Sequence, residues 1–336
     1  MLRLPPEAYT VGWVCALPIE LAAAQELLDE EHEDLEYDEN DNNIYTLGKI
    51  GRHNVVLACL PAGQTGISSA AAVATQLKAT FKWIRFGLMV GIGGGVPSQK
   101  NDIRLGDVVI SQPDQGHGGV IQYDFGKATP TGFKATGFLN APPQILLAAV
   151  SKMRARHLGG QKQLNHYVSK ACEKENLADF TRESAGPDDL FEASYNHIEG
   201  STCKQCSADH LLKLDPRVKD EIVVHYGTIA SGNQVIRDGI QRDQVSKDFG
   251  GVLCFEMEAA GLMMTFPCLI IRGICDYADS HKNKKWQPRA ALVAAACAKD
   301  LLSIIPPADV VKTSTVEAKI VEGNASMLGR AASECM

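Results

Sequence analysis

The sequence lacks several features, and each shortage closes off a class of protein. It has no apolar run long enough to cross a bilayer, so no membrane-spanning helix is expected. It has no excess of positive charge: 33 Lys and Arg stand against 40 Asp and Glu, a formal net charge of −7. That balance argues against general attraction to nucleic acid or to an anionic membrane. It has no disulfide framework. Its ten cysteines are dispersed, and Cys15, Cys59, Cys254, Cys268 and Cys297 lie in apolar runs, where Cys acts as a small hydrophobe. A reducing, cytoplasmic setting is therefore the expectation. The opening MLRLPPEAYT is too short and too broken by proline to be a secretory signal. No internal repeat is present. The glycine run GIGGGVP at 91–97 is followed by no Lys-Ser/Thr, which excludes a P-loop. A proline where a helix should begin excludes the Rossmann fingerprint as well.

What is present reads as an α/β chain. Hydrophobic content of 45% and charge of 22% are those of a globular protein. The length of 336 residues allows two domains or one large α/β domain. Tyr9–Ala16 reads as a first strand. Pro18 then opens a helix in which Glu20, Leu21, Ala24, Leu27 and Leu28 fall at helical spacing. Residues 29–43 are acidic and read as a solvated loop. Ile44–Ile50 and Asn54–Leu60 read as paired strands, followed by the loop AGQTGI and an Ala-rich helix from Ser68 to about Phe81. A glycine-containing loop entering a helix suits an anion or a sugar hydroxyl, although most such turns bind nothing. Arg85–Val90 is a buried strand leading into the glycine run, where the backbone is free to approach a ligand or a neighbouring strand. Ile103–Ser111 continues into another strand. Residues 112–136 form a hairpin, a lid or an oligomer contact, and Pro142–His157 forms an amphipathic helix. Residues 159–219, more polar and less patterned, read as an insertion. Glu221–Ser231 reads as a strand, Ile240–Phe249 as a helix, and Arg289–Ile305 as a closing helix bounded by prolines. One domain is expected over 8–306, with a disordered tail over 307–336.

The chain is organised around GGVLCFEMEAAGLMMTFPCLIIRGICDYAD, residues 250–279. It reads as strand, helix, strand and loop, with Glu256 and Glu258 at the first turn and Asp276 just past the end of the second strand. Ligands bind at that edge of open α/β sheets, and carboxylates set among apolar sequence there are poorly solvated and chemically useful. FEMEAAG followed by RGICDYAD resembles the paired signature of the purine nucleoside phosphorylase and methylthioadenosine nucleosidase family, and the likeness runs from about Tyr9 to about Ile305. Details of the insertion and of the YDFGK and HYGTIASGN segments look most like fungal members. The resemblance implies a three-layer αβα fold around a central mixed, twisted sheet, and assembly as a homo-oligomer. It implies that Met257 and Glu258 hold the ribose and that Asp276 protonates N7 of the purine. ALPIE resembles the segment whose glutamate activates water, implying that role for Glu20, although Leu17 stands where the nucleosidases usually have Met. The bland alternative is that Glu20 only complements its helix dipole. Gly91, Ile92, Gly93 and Gly94 resemble the loop beside the ribose and the nucleophile. SGN resembles the purine-contacting loop, which implies that Val235 and Ile236 pack on the base and Asn233 makes polar contacts.

Cleaving a purine N-glycosidic bond leaves a cationic sugar and an anionic base. A neutral carboxylic acid at N7 answers the second problem by donating a proton. Free aspartic acid is almost wholly ionised at pH 7, so Asp276 must be kept neutral by dry surroundings, at a cost of ~4 kcal/mol. An ionised Glu258 accepts both ribose hydroxyl protons and faces the developing cation. Glu256 reads as a helix-capping or surface residue. Phosphorolysis would need cations around a phosphate, and the phosphorylases commonly carry Arg just ahead of the glycine loop, where this chain has Met89 and Val90. Hydrolysis is therefore preferred, with phosphorolysis as the alternative. Arg104, Arg237 and Lys127 leave room for phosphate, including the phosphates of a nucleotide substrate. A nucleotide-sensing signalling module with little turnover is the alternative of another class. No cofactor is required for the chemistry. A structural zinc is considered at His197, Cys203, Cys206 and His210, the alternative being two reduced cysteines in a loop.

Overall fold

The computed structural model describes residues 1–319 except 37–38, 115, 131, 162 and 219–220. Its strands in chain order are β1 (Val11–Cys15), β2 (Glu30–Glu31), β3 (Tyr45–Ile50), β4 (His53–Cys59), β5 (Phe86–Gly95), β6 (Val108–Ser111), β7 (Val120–Gln122), β8 (Gly126–Thr129), β9 (Gly132–Ala135), β10 (Val224–Gly227), β11 (Ile229–Ser231), β12 (Cys254–Glu256) and β13 (Cys268–Asp276). The helices are α1 (Pro18–Glu26), α2 (Ile67–Thr80), α3 (Gln144–Leu158), α4 (Gln163–Cys172), α5 (Arg182–Ala185), α6 (Gly239–Asp248), α7 (Ala259–Met263), α8 (Gln287–Ile304) and α9 (Pro307–Lys312).

One mixed sheet runs in the order β10-β6-β13-β5-β1-β4-β3-β2, with β12 branching from β5 and joined in turn by β11 and β7. β1, β4, β5 and β13 are parallel, whereas β6 lies antiparallel to β13. Side chains alternate along the central strands, so each face acquires its own core. Trp13, Leu88, Val90, Leu269 and Ile271 pack under α1, α3, α4 and α8. Val14, Met89, Ile270 and Ile274 pack under α2 and α7. The result is the expected three-layer αβα architecture. Helix α8 is buried nearly all round because it lies on the sheet and is itself covered by α1, α3 and α4.

Several expectations change. The glycine run is not a loop: β5 continues through Gly95, because β13 and β12 pair with it up to Gly94 and Gly95. The strand expected over Glu221–Ser231 breaks at Thr228 into β10, on the β6 edge, and β11, beside β12. The acidic loop after α1 is partly tied down, with His32 buried and its Nδ1 2.9 Å from the Tyr9 hydroxyl. The insertion contributes Leu164, Val168, Leu177 and Phe180 to the main core. Chain from 307 to 319 is ordered rather than a free tail. α9 buries Val310, and Val316 is buried with its N–H donating to Ile84 O at 2.8 Å. The remainder of the expected tail, 320–336, lies outside the described residues.

Candidate active site

β1 pairs with β5 only as far as Met89, whereas β5 and β13 run on together to Gly94 and Asp276, and the acidic side chains gather along that step. Glu20 belongs to the first turn of α1, opened by Pro18 after an extended Leu17. Its Oε2 accepts the N–H groups of Ala16 (2.7 Å) and Leu17 (3.0 Å), half of a capping box. Its Oε1 reaches across to accept from Ile92 N–H at 2.8 Å. Glu20 therefore caps its helix and also ties β1 to β5. Burial raises its carboxyl above the ordinary range, against the pull of Arg272 and the three N–H donors. Gly91 lies behind this pair, where a Cβ would come within 2.4 Å of both Glu20 Oε1 and Arg272 Nη1.

Arg272 is fully buried, and its Nη2 pairs with Glu256 and stands 3.3 Å from Glu258 Oε2. Glu256 also accepts the N–H groups of Glu258 (3.1 Å) and Ala259 (2.9 Å), so it is a buried helix cap and counter-ion, not a surface residue. Glu258 Oε1 accepts from Gly66 N–H at 3.2 Å, fastening the loop ahead of α2. Burial pushes the Glu258 carboxyl up to about 7; Arg272 opposes the change, while Glu256 and Glu20 reinforce it.

Asp276 ends β13 at a register shift. Ile274 pairs with Gly93 and Asp276 with Gly94, so Cys275 is the extra residue of a bulge. The shift takes Asp276 out of the alternation that carries Arg272 and Ile274, which separates Asp276 from the arginine. Asp276 Oδ1 accepts from Ala278 N–H at 2.9 Å, and Ala278 takes a left-handed φ of 51°. A Cβ on Gly94 would lie 2.8 Å from Asp276 Oδ1, so the bulge fits only against glycine. The dry surroundings expected for Asp276 are there, since it is 4% exposed, but a cation shares them. Lys282 Nζ is 2.9 Å from Oδ2, with the Cys275 thiol at 3.1 Å. Burial works to lower the Lys282 ammonium, but Asp276 and Cys275 outweigh it and hold it above its usual range.

A cavity of about 240 Å³ is lined by Glu20, Ile92, Gly93, Gly94, Met257 and Glu258 together with Val235, Ile236, Phe255 and Ala278. Thr65, Gln234, Lys282 and Gln287 also face it and were not picked out from sequence. Asp276 lines a neighbouring cavity of about 250 Å³ with Cys203, Asp279 and His281, and meets the first through Lys282. Asn233 lies apart from the lining. Its Oδ1 accepts from Ile67 N–H (3.2 Å) at the start of α2, and its own N–H donates to Asp124 Oδ2 (2.7 Å). Tyr123 donates to Gln234 O at 2.7 Å, so the YDFGK segment buttresses the 232–236 loop. The loop spacing of Tyr123 and Asp124 carried no signal for this, because it depends on β7 pairing with β11. Of the cations considered for phosphate, Arg104 is buried against Asp102 at 2.8 Å, while Lys127 lies on the exposed β8–β9 hairpin. Among the described residues, no helix is long and apolar enough to cross a membrane.

An open mixed sheet with carboxylates gathered where its parallel strands end defines the class, and the sequence agrees. The chain belongs to the phosphorylase superfamily, whose model matches residues 10–303, within the nucleoside phosphorylase and nucleosidase group. It is 48% identical over 305 residues to a nucleotide-binding leucine-rich repeat (NLR)-like protein of Hyaloscypha variabilis, covering 90% of this chain and 30% of that one. It is 25% identical over 311 residues to a 5′-methylthioadenosine/S-adenosylhomocysteine nucleosidase of Mycobacterium bovis, covering 89% of this chain and 98% of the relative. It is 28% identical over 298 residues to the ATP nucleosidase Cap17 of Escherichia coli, covering 85% of this chain and half of the relative (50%). The futalosine hydrolase of Helicobacter pylori shares the fold, at a TM-score of 0.56 and 17% identity over 89% of this chain and 99% of that one.

Proposed function

We propose that this chain hydrolyses the N-glycosidic bond of a purine nucleoside or nucleotide, releasing the base and ribose or ribose phosphate. The observation that carries this reading is the charge of the cavity. Glu20, Glu256 and Glu258 face it, and Lys282 is the one cation among its described lining residues. With Lys282 held by Asp276 and the buried Arg272 held by Glu256 and Glu258, such a wall offers a phosphate nucleophile no cation of its own and suits water. The names of the Mycobacterium and Escherichia relatives, both nucleosidases, support hydrolysis as well.

Val235, Ile236, Phe255 and Ala278 offer an apolar end to a flat base, and Met257 presses on the sugar. Glu258, once ionised, accepts the ribose hydroxyls and faces the positive charge that develops on the ring. Glu20 takes a proton from water as its oxygen bonds to C1′. The C1′–N9 bond breaks, its electron pair passes into the purine, and a proton enters at N7 from Asp276. Lys282, 28% exposed at the rim, swings aside to admit the base, and Asp276, freed of its ammonium partner, takes up from solvent the proton that it gives to N7. After base release Glu20 passes its proton to solvent, which resets the site. The 5′ end, hydroxyl, methylthio or phosphates, is sought among the substrates that the relatives' names suggest.

A second reading is favoured by the Hyaloscypha relative, of which this chain spans 30%. It makes the domain the nucleotide-sensing part of a larger signalling protein. Asp276→Asn separates the two. The hydrolase reading expects base release to fall at least ~100-fold with ligand binding retained; a sensor binds ligand and has no turnover to lose.

A further inference from the structure

The insertion meets the loop after β13 at a cluster the nucleoside cavity does not use. His197, Cys203 and Cys206 each offer a ligand atom, all within 4.8 Å of one another. A single 3-10 turn over Cys203–Gln205, closed by Cys206 N–H donating to Cys203 O at 3.1 Å, brings the two cysteines together. Both are free thiols. His197 is fixed at both ends: its backbone N–H donates to Ser280 Oγ (2.9 Å), and its Nε2 stands 3.3 Å from Thr202 O. A proton on Nε2 turned to that carbonyl leaves the Nδ1 lone pair for a metal, the usual outer-shell arrangement of ligating histidines.

An independent observation stands next to the cluster. His281 is 8% exposed, and neither ring nitrogen has a hydrogen-bond partner. The nearest carboxylate oxygen, Asp279 Oδ1, is 3.7 Å from its Nδ1. The ring stacks on Phe191 at 4.1 Å, and its centroid lies 5.7 Å from that of His197. Leaving both nitrogens of a buried imidazole unpaired is costly, and a ligand relieves that cost. His210, considered from sequence as the fourth ligand, stands apart: its Nδ1 is 2.9 Å from Glu192 Oε2 and its ring stacks on Tyr195 at 4.1 Å.

We propose that His197, Cys203, Cys206 and His281 bind one zinc ion, which pins the insertion to the loop that follows Asp276 and carries Lys282. Two thiolates and two imidazoles form a closed tetrahedral set, the donor chemistry of structural zinc. Zinc–sulfur bonds of ~2.3 Å and zinc–nitrogen bonds of ~2.0 Å require the donor atoms to draw closer together, and His281, which stands outside the group of three within 4.8 Å, to turn toward them. Binding releases one proton from each thiol. The site stands whether or not the cavity hydrolyses nucleosides, because none of its four side chains is needed for that step.

The test is elemental analysis of the full chain purified without chelator. About one zinc per chain is expected, freed on titration of the thiols of the still-folded protein with p-hydroxymercuribenzoate and read with a chromogenic chelator. Cys203→Ser and Cys206→Ser lose the metal, His281→Ala weakens its binding at least tenfold, and His210→Ala retains it. Zinc absent from the wild-type chain and not taken up on addition overturns the proposal. So do zinc that survives Cys203→Ser and Cys206→Ser, a Cys203–Cys206 disulfide in place of the metal, and a His281→Ala variant with unchanged affinity.

Discussion

Glu258 carries the clearest single-residue consequence. Its carboxyl is pushed from 4.5 up to about 7 by burial, so the folded chain holds that proton more tightly than the unfolded chain does. The linked stability is complete below about pH 4.5 and is lost as pH rises through about 7. Glu258→Gln removes it: the decline in unfolding free energy over that interval is expected to shrink by on the order of 3 kcal/mol in denaturant titrations at a series of pH values. Superimposable pH profiles for variant and wild type would contradict this. Because the ionised carboxylate is the form proposed to grip ribose, kcat/KM is expected to climb through the same interval. Glu20→Gln is expected to lower kcat ~100-fold or more with little change in ligand binding, checked by base release and by calorimetry. The carboxylates were legible from sequence because each lies in a short local motif. Lys282 was not, since its approach to Asp276 depends on how the loop after β13 turns back. The separation of Asp276 from Arg272 was equally hidden, because it follows from the bulge at Cys275.

Among the elements, β13 does the most to position the site, and its packing is tightest where glycine stands. A Cβ on Gly273 would lie 1.9 Å from Ala290 O, so the backbone of α8 rests directly on the strand. Gly273→Ala is expected to cost ~1–3 kcal/mol through overpacking, seen as a lowered urea midpoint with unchanged slope. An unaltered midpoint would show that α8 moves away freely. The central strands and long helices were readable because apolar spacing and flanking prolines act locally. The glycine run misled for a physical reason. Glycine favours loops on its own, but here strands on both sides supply the hydrogen bonds, and Glu20, Arg272 and Asp276 fill the space that side chains would need. The break at Thr228 was also invisible, since β10 and β11 differ in partners rather than in composition.

At the scale of the whole molecule, the layer order and the edge that bears the site followed from alternating strands and helices, and the insertion did not. Its polar composition conceals Leu164, Val168, Leu177 and Phe180, which complete the core beneath α8. Deleting residues 159–219 is therefore expected to abolish cooperative unfolding, followed by circular dichroism, whereas a detachable surface insertion would leave the transition intact. The central claim is that the acidic cavity directs water, not phosphate, to C1′ of a purine nucleoside or nucleotide. Its most direct test is the identity of the sugar released by the purified chain from adenosine, methylthioadenosine, guanosine and ATP, with and without inorganic phosphate. Free ribose or its 5′-substituted form, produced at the same rate in both buffers and lost in Asp276→Asn, is the predicted result. Base release that requires phosphate and yields a sugar 1-phosphate would contradict it.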